Sequence, residues 1–336
     1  MGGNAIKKVV ISRIQSNNYL RIRNMILTIL KFNDIITDYI IETPNKESYG
    51  DIDILYLSDV NNSLYNLLTI NKICGDLKEI VNNGDVISIP FELNNIYYQV
   101  DFIKCNYNNF YSSKFYYSYG DLGNIIGRLT SSFGLKFGHN GLWLNYSLYE
   151  KENITIHLTY DPKEICDFLG LDYIIYQNGF NNVDDIIDWI IKCRFFDKKV
   201  FLFKNLNYEH RKKATNRPMY IKFLEYISRL NIDDNELKNE LSIIELQKQC
   251  IEYFNKTEEL ENKLNEFKKR KELKDKFNGN DLINLGIDPK LITVTILNFK
   301  EFVLNKYQNY NDFNVYLENE TKEDILNDVK VLLNFK

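Results

Sequence analysis

Histidine is scarce in this chain of 336 residues, with only His139, His157 and His210 present. Ser-His and Cys-His nucleophilic chemistry therefore has little support. Cys74, Cys105, Cys166, Cys193 and Cys250 are odd in number and widely scattered, and no Cys-x-x-Cys occurs. That pattern indicates neither a disulfide framework nor a zinc knuckle, and buried free thiols are expected instead. No uninterrupted run of about 18 apolar residues appears. The start, Met1-Gly2-Gly3-Asn4-Ala5-Ile6-Lys7-Lys8, lacks a hydrophobic signal core, so a cytosolic protein without a membrane partner is expected. Positive charge is not in excess: 42 Lys and Arg stand against 46 Asp and Glu, a net charge of −4. This argues against wholesale coating of nucleic acid but allows a local basic patch on an acidic body. Internal repeats and low-complexity linkers are absent.

What the chain does have is a sizeable apolar fraction, 44%, enough to build two or three globular cores. Its most informative stretch is Ser48-Tyr49-Gly50-Asp51-Ile52-Asp53-Ile54-Leu55-Tyr56-Leu57, a β-branched and aromatic run opened by a glycine turn, which reads as a strand. Period-2 alternation places Asp51 and Asp53 on one face and Ile52 and Ile54 on the other. A second run, Tyr97-Tyr98-Gln99-Val100-Asp101-Phe102-Ile103, carries one more carboxylate with the same apolar flanks. Three aspartate carboxylates with water and phosphate oxygens suit octahedral Mg²⁺ rather than zinc.

These two runs together resemble the active-site signature of the DNA polymerase beta nucleotidyltransferase superfamily. The segment from Asn45 to Leu55 is similar to that of virus- and phage-encoded members, including viral poly(A) polymerases. The resemblance implies that Asp51, Asp53 and Asp101 hold two Mg²⁺ ions, that an NTP is the substrate, and that attack on the α-phosphorus expels pyrophosphate. The superfamily's Gly-Ser pair ahead of the first carboxylates is missing here, so Lys46 and Ser48, with Gly50 in the turn, are the nearest candidates for the triphosphate; a plain turn is the alternative. A tail segment, from Gly279 to Leu291, looks like a motif of CCA-adding enzymes and bacterial poly(A) polymerases that touches RNA, although a further glycine after Pro289 is absent. A helix-turn-helix without functional meaning fits it as well.

Taken in order, the pattern predicts a helix over 17–32 with Leu20, Ile22, Met25, Ile26, Ile29 and Leu30 inward. A strand follows over 35–43, then a helix over 62–81 stopped by Asn82-Asn83-Gly84, and a hairpin of 86–91 with 96–104. A glycine-bearing helix is expected over 119–129, its glycines marking close approach of backbone or ligand. From Asp161-Pro162 onward helices dominate. The expected class is therefore α+β, with a mixed β-sheet flanked by helices and a mainly helical C-terminal half. The expected division is a nucleotidyltransferase domain at 1–150, a helical domain with a basic patch at 151–235 and a helical domain at 236–336.

The basic patch gathers Lys204, His210, Arg211, Lys212, Lys213, Arg217 and Lys222 around Tyr208 and Tyr220. Amines, guanidinium groups and rings together suit phosphate contact and base stacking, and a solvated helix end has the same look. Arg211 and Arg217 are the candidates for triphosphate or RNA backbone, since a planar fork suits phosphate oxygens. Three readings stay open: transfer of nucleotides to an RNA 3′ end, of tRNA or poly(A) type; transfer to a protein or small molecule; and a non-catalytic nucleotide- or RNA-binding relative. A monomer or small homo-oligomer is expected.

Overall fold

The computed structural model describes residues 4–58, 64, 79–148, 152–230, 242–307 and 309–333. Strand β1 (Ile14–Gln15) runs directly into helix α1 (Ser16–Phe32), whose buried row is Tyr19, Ile22, Ile26 and Leu30. Those positions recur at three and four residues and so form one stripe. Leu20 and Met25, expected inward, are rotated off that row and lie 50% and 39% exposed. The strand expected over 35–43 is shorter, β2 (Thr37–Tyr39). A two-residue strand, β3 (Ser48–Tyr49), pairs with β1, and Gly50 is the bend that separates it from β4 (Asp51–Leu57).

Three more strands complete the main sheet: β5 (Val81–Asn83), β6 (Val86–Leu93) and β7 (Ile96–Cys105). Its order is β2-β4-β7-β6-β5; β4 and β7 run parallel while the other neighbours are antiparallel. The sheet is thus mixed. The β6–β7 turn is Asn94-Asn95, with φ of 54° and 62°, the left-handed pair a two-residue hairpin requires. Most of the helix expected over 62–81 lies outside the described residues, apart from Leu64, which is helical and buried. At its far end the expectation is corrected: Val81 begins β5, and Gly84, at φ 60°, turns a hairpin into β6 instead of stopping a helix.

Alternation along β4 and β7 divides the core between two faces. Ile52, Ile54, Tyr56, Val100 and Phe102 pack with Ile22, Ile26 and Leu30 of α1. On the other face Leu55, Leu57, Ile103 and Cys105 pack with Phe110 of α2 (Phe110–Tyr117). Helix α3 (Leu122–Ser131) crosses so close that a Cβ on Gly123 would stand 2.2 Å from the Tyr116 carbonyl oxygen. A second sheet, of order β10-β9-β8, follows: β8 (Leu135–Gly138), β9 (Gly141–Ser147) and β10 (Asn153–Thr159). Because β9 and β10 pair in register from Ser147 and Asn153 backward, the division expected at 150 falls inside a sheet.

The helices after that sheet are built on clear signals. Asp161 accepts from the Lys163 N–H and Pro162 opens α4 (Pro162–Leu169), which Gly170 ends at φ 71°. Then come α5 (Tyr173–Asn178), α6 (Val183–Ile190), 3-10 turns at Lys198–Phe201 and Phe203–Asn205, α7 (Tyr208–Asn216) and α8 (Pro218–Arg229). The charged stretch that follows forms two helices, α9 (Ile243–Tyr253) and α10 (Thr257–Lys276), parted where Asn255 adopts φ 54°. The chain forms two compact units, Met1–Lys256 and Thr257–Lys336; the division expected at 235 lies outside the described residues.

The second unit holds α10, α11 (Gly279–Asn284), α12 (Ile292–Lys306), α13 (Phe313–Asn319) and α14 (Lys322–Leu332) around Phe299, Val303, Tyr316, Ile325 and Val329. Asp288 caps the 3-10 turn Pro289–Leu291, and Leu291 lies 55% exposed. With 54% helix and 18% strand the class is α+β. Among the described residues no helix is long and apolar enough to cross a membrane. Cys105, Cys166, Cys193 and Cys250 are buried free thiols.

Candidate carboxylate site

The parallel ladder sets Asp53 opposite Asp101 and Asp51 opposite Gln99. Partners in register point the same way, so all four side chains share one sheet face, with neighbouring strands about 4.8 Å apart. On the far side of β7, Ser88 faces Asp101. The three aspartates are half-buried, while Gln99 and Ser88 are buried. They sit at the start of β4, before the row of Leu55, Leu57, Ile103 and Cys105 closes the same face against α2.

Crowding of carboxylates is the dominant electrostatic feature. Burial, then the charges of Asp51, Asp101 and Glu42, push Asp53 well above the usual carboxylate range, and Lys46 offsets only part of this. Asp101 is pushed up to about 6, chiefly by burial and secondarily by Asp51, against hydrogen bonds from Ser88 and Gln99. The Gln99 Nε2 donates to both Asp101 oxygens, at 2.9 and 3.0 Å, while its Oε1 accepts from the Ala5 N–H at 2.9 Å. Gln99 therefore anchors the N-terminal segment to the carboxylate.

The donor set is oxygen only, as Mg²⁺ prefers. After accepting from Gln99 at both oxygens and from Ser88, the Asp101 carboxylate keeps one of its about four lone-pair sites for an ion. Among the described residues the buried Tyr19 hydroxyl finds no hydrogen-bond partner; burial, then Glu42 and Asp53, hold its proton tightly. No three His, Cys, Asp or Glu side chains among the described residues converge closely enough, in the rotamers present, to enclose an ion. Register and donor chemistry are those a hard cation takes.

The expected phosphate ligands are partly committed elsewhere. Lys46 Nζ pairs with Glu42 Oε2 at 2.6 Å and lies 4.7 Å from the Tyr49 ring centre, and Tyr49 stacks on Tyr19 at 3.9 Å. Ser48 Oγ accepts from Arg13 Nε at 3.0 Å, and Arg13 also donates to the Ser48 carbonyl at 2.9 Å. Arg13, Glu42 and Gln99 escaped the sequence reading because nothing local marks them. Arg217 reaches Asp121 at 3.3 Å; Asp121 is buried and raised by that burial against the pull of Arg217. Arg211 is exposed and lies over Phe203, 5.4 Å from its centre. Thus Lys46, Ser48 and Gly50 adjoin the carboxylates in sequence and space, whereas Arg211 and Arg217 belong to the α7–α8 region.

No family model matches this chain, and no curated protein matches it.

Proposed function

We propose that the chain is a Mg²⁺-dependent nucleotidyltransferase that adds nucleotides from an NTP to an RNA 3′ end. The observation that supports this most is the in-register placement of Asp53 and Asp101 on adjacent parallel strands, with Asp51 on the same face. Two Mg²⁺ ions held by Asp51, Asp53 and Asp101 would supply Lewis-acid activation of a hydroxyl and neutralise charge on the triphosphate. Gln99 holds Asp101 in place and Ser88 donates to it from the next strand. Arg13 and Lys46, at the β3 end of the same site, offer cations for phosphate oxygens, Lys46 after parting from Glu42.

A non-catalytic relative is the second reading, favoured by the Gln99 amide that spans both Asp101 oxygens. One experiment separates the two. Purified protein is incubated with Mg²⁺, total RNA and each labelled NTP in turn, with Asp53→Asn as control. Label on RNA that Asp53→Asn abolishes supports the proposal. Label on the protein fraction alone moves the acceptor to protein, and no transfer from any NTP overturns the catalytic reading.

A further inference from the structure

The segment Lys204 to Arg217 carries five basic residues, Lys204, Arg211, Lys212, Lys213 and Arg217, against a single acid, Glu209, in a chain whose net charge is −4. The structure sorts them. Arg217 is paired with Asp121, and Lys213 donates to Asn124 Oδ1 at 2.7 Å. His210 shares a 3.1 Å hydrogen bond with the Tyr220 hydroxyl. Lys204, Arg211 and Lys212 instead stand exposed. Between them lie two large rings in water: Phe203 is 61% exposed and Tyr208 75%. Helix α7, nine residues long, has no fully buried side chain, so core packing explains little of its composition.

The rings are not loosely presented. Arg128 donates to the Val200 carbonyl at 3.2 and 3.0 Å and to the Asn205 carbonyl at 2.7 Å. Asn205 Nδ2 donates to the Lys199 carbonyl at 2.8 Å. Asn207 caps α7 by accepting from the His210 N–H at 2.9 Å. A backbone pinned at these points holds Phe203 and Tyr208 at solvent with little left to order on binding. The Arg211 guanidinium lies 5.4 Å from the Phe203 ring centre, so a π-face and a phosphate fork share one spot.

We infer that Phe203, Tyr208, Lys204, Arg211 and Lys212 form a binding surface for single-stranded nucleic acid, rings stacking on bases and cations meeting phosphates. Aromatic faces interleaved with cations match an unpaired strand, whereas a duplex hides its base faces and a protein helix needs a broader apolar strip. The inference deepens the proposed function by placing its acceptor strand, and rests on that reading only for the acceptor's role. The start of α8, which follows α7 directly, borders the loop that leads toward β4: a Cβ on Gly120 would stand 3.1 Å from both Met219, just past Arg217, and Thr43, next to Glu42.

The test is fluorescence anisotropy of a labelled single-stranded RNA of about 15 nucleotides with the full chain, beside a hairpin duplex and anionic vesicles. The variants are Phe203→Ala with Tyr208→Ala, Arg211→Ala with Lys212→Ala, and Lys268→Ala with Arg270→Ala as a basic control in the second unit. The ring pair should weaken single-strand binding roughly tenfold or more. The Arg211 and Lys212 pair should also flatten its salt dependence, the control should leave it unchanged, and Phe203→Trp should restore it. Equal binding by the ring variants, preference for the duplex, or binding to vesicles alone would overturn the inference. Asp53→Asn should bind the strand as the natural chain does, which separates the two claims: strand capture by the natural chain without transfer sinks the catalytic reading only, and transfer with ring-independent binding sinks this one only.

Discussion

Asp53 and Asp101 are direct partners across the parallel ladder of β4 and β7. Two half-buried carboxylates so placed, with Asp51 and Glu42 nearby, repel each other in the metal-free chain.

Relief of that repulsion should stabilise the protein. Asp101 is raised from 3.8 to about 6, so the folded chain binds its proton more readily than the unfolded one. The stability this contributes is complete below the unfolded value and is lost as pH rises through about 6. At pH 7.5, Asp101→Asn should therefore unfold at higher urea than the natural chain, by about 1–2 kcal/mol. The gap should close toward pH 4.5. Mg²⁺ should stabilise the natural chain at pH 7.5 and the variant little; a variant less stable at pH 7.5 would contradict the mutual repulsion.

Gln99→Leu tests the anchor. It leaves the half-buried Ala5 N–H and the Asp101 oxygens short of a partner, at a cost of about 1–3 kcal/mol. Since Gln99 helps keep Asp101 ionised, the pH midpoint of Mg²⁺ binding, followed by titration calorimetry, should move upward. An unchanged midpoint would make Gln99 merely structural.

Gly123→Ala should destabilise the first unit by about 1–3 kcal/mol, because the new methyl meets the Tyr116 carbonyl at 2.2 Å and backbone has to move. Gly138→Ala, with nothing within 4 Å, serves as the comparison and should shift the melting temperature little.

His210 supplies a second pH signature. Burial, then Lys213 and Arg128, lower it to about 4. The unfolded chain binds its proton near 6.5, so the stability from neutral His210 is full above that value and is lost as pH falls toward 4. His210→Asn should lessen the fall in urea midpoint between pH 7 and pH 4.5, by about 1–2 kcal/mol. An identical fall in both proteins would place the acid sensitivity elsewhere.

Local pattern made the first carboxylate strand legible. Alternation alone separates Asp51 and Asp53 from Ile52 and Ile54, and the buried faces follow it. The asparagine hairpin and the Asp161, Pro162 and Gly170 signals were legible because turn and cap chemistry is local. Contacts set by long-range folding were not. Gln99 and Ala5 are 94 residues apart, and Arg217 lies 96 from Asp121. A run of cations reads the same whether or not its members have partners, so only the coordinates part Arg217 from Arg211. Nor does helical spacing tell that Leu291, in line with Ile292 and Ile296, sits in a 3-10 turn and lies 55% exposed.

Strand β10 lies beyond the point where the sequence suggested a cut, and α9, further along the chain, reaches back to β9: Gln247 Nε2 donates to the Asn145 carbonyl and to Ser147 Oγ, both at 3.3 Å. A fragment ending at 150 would bare the edge of β9 and strip Gln247 from its partners. Any shortened version meant to keep the carboxylates must therefore carry everything up to Lys256, and recombination that swaps only the first half of the chain should yield insoluble products.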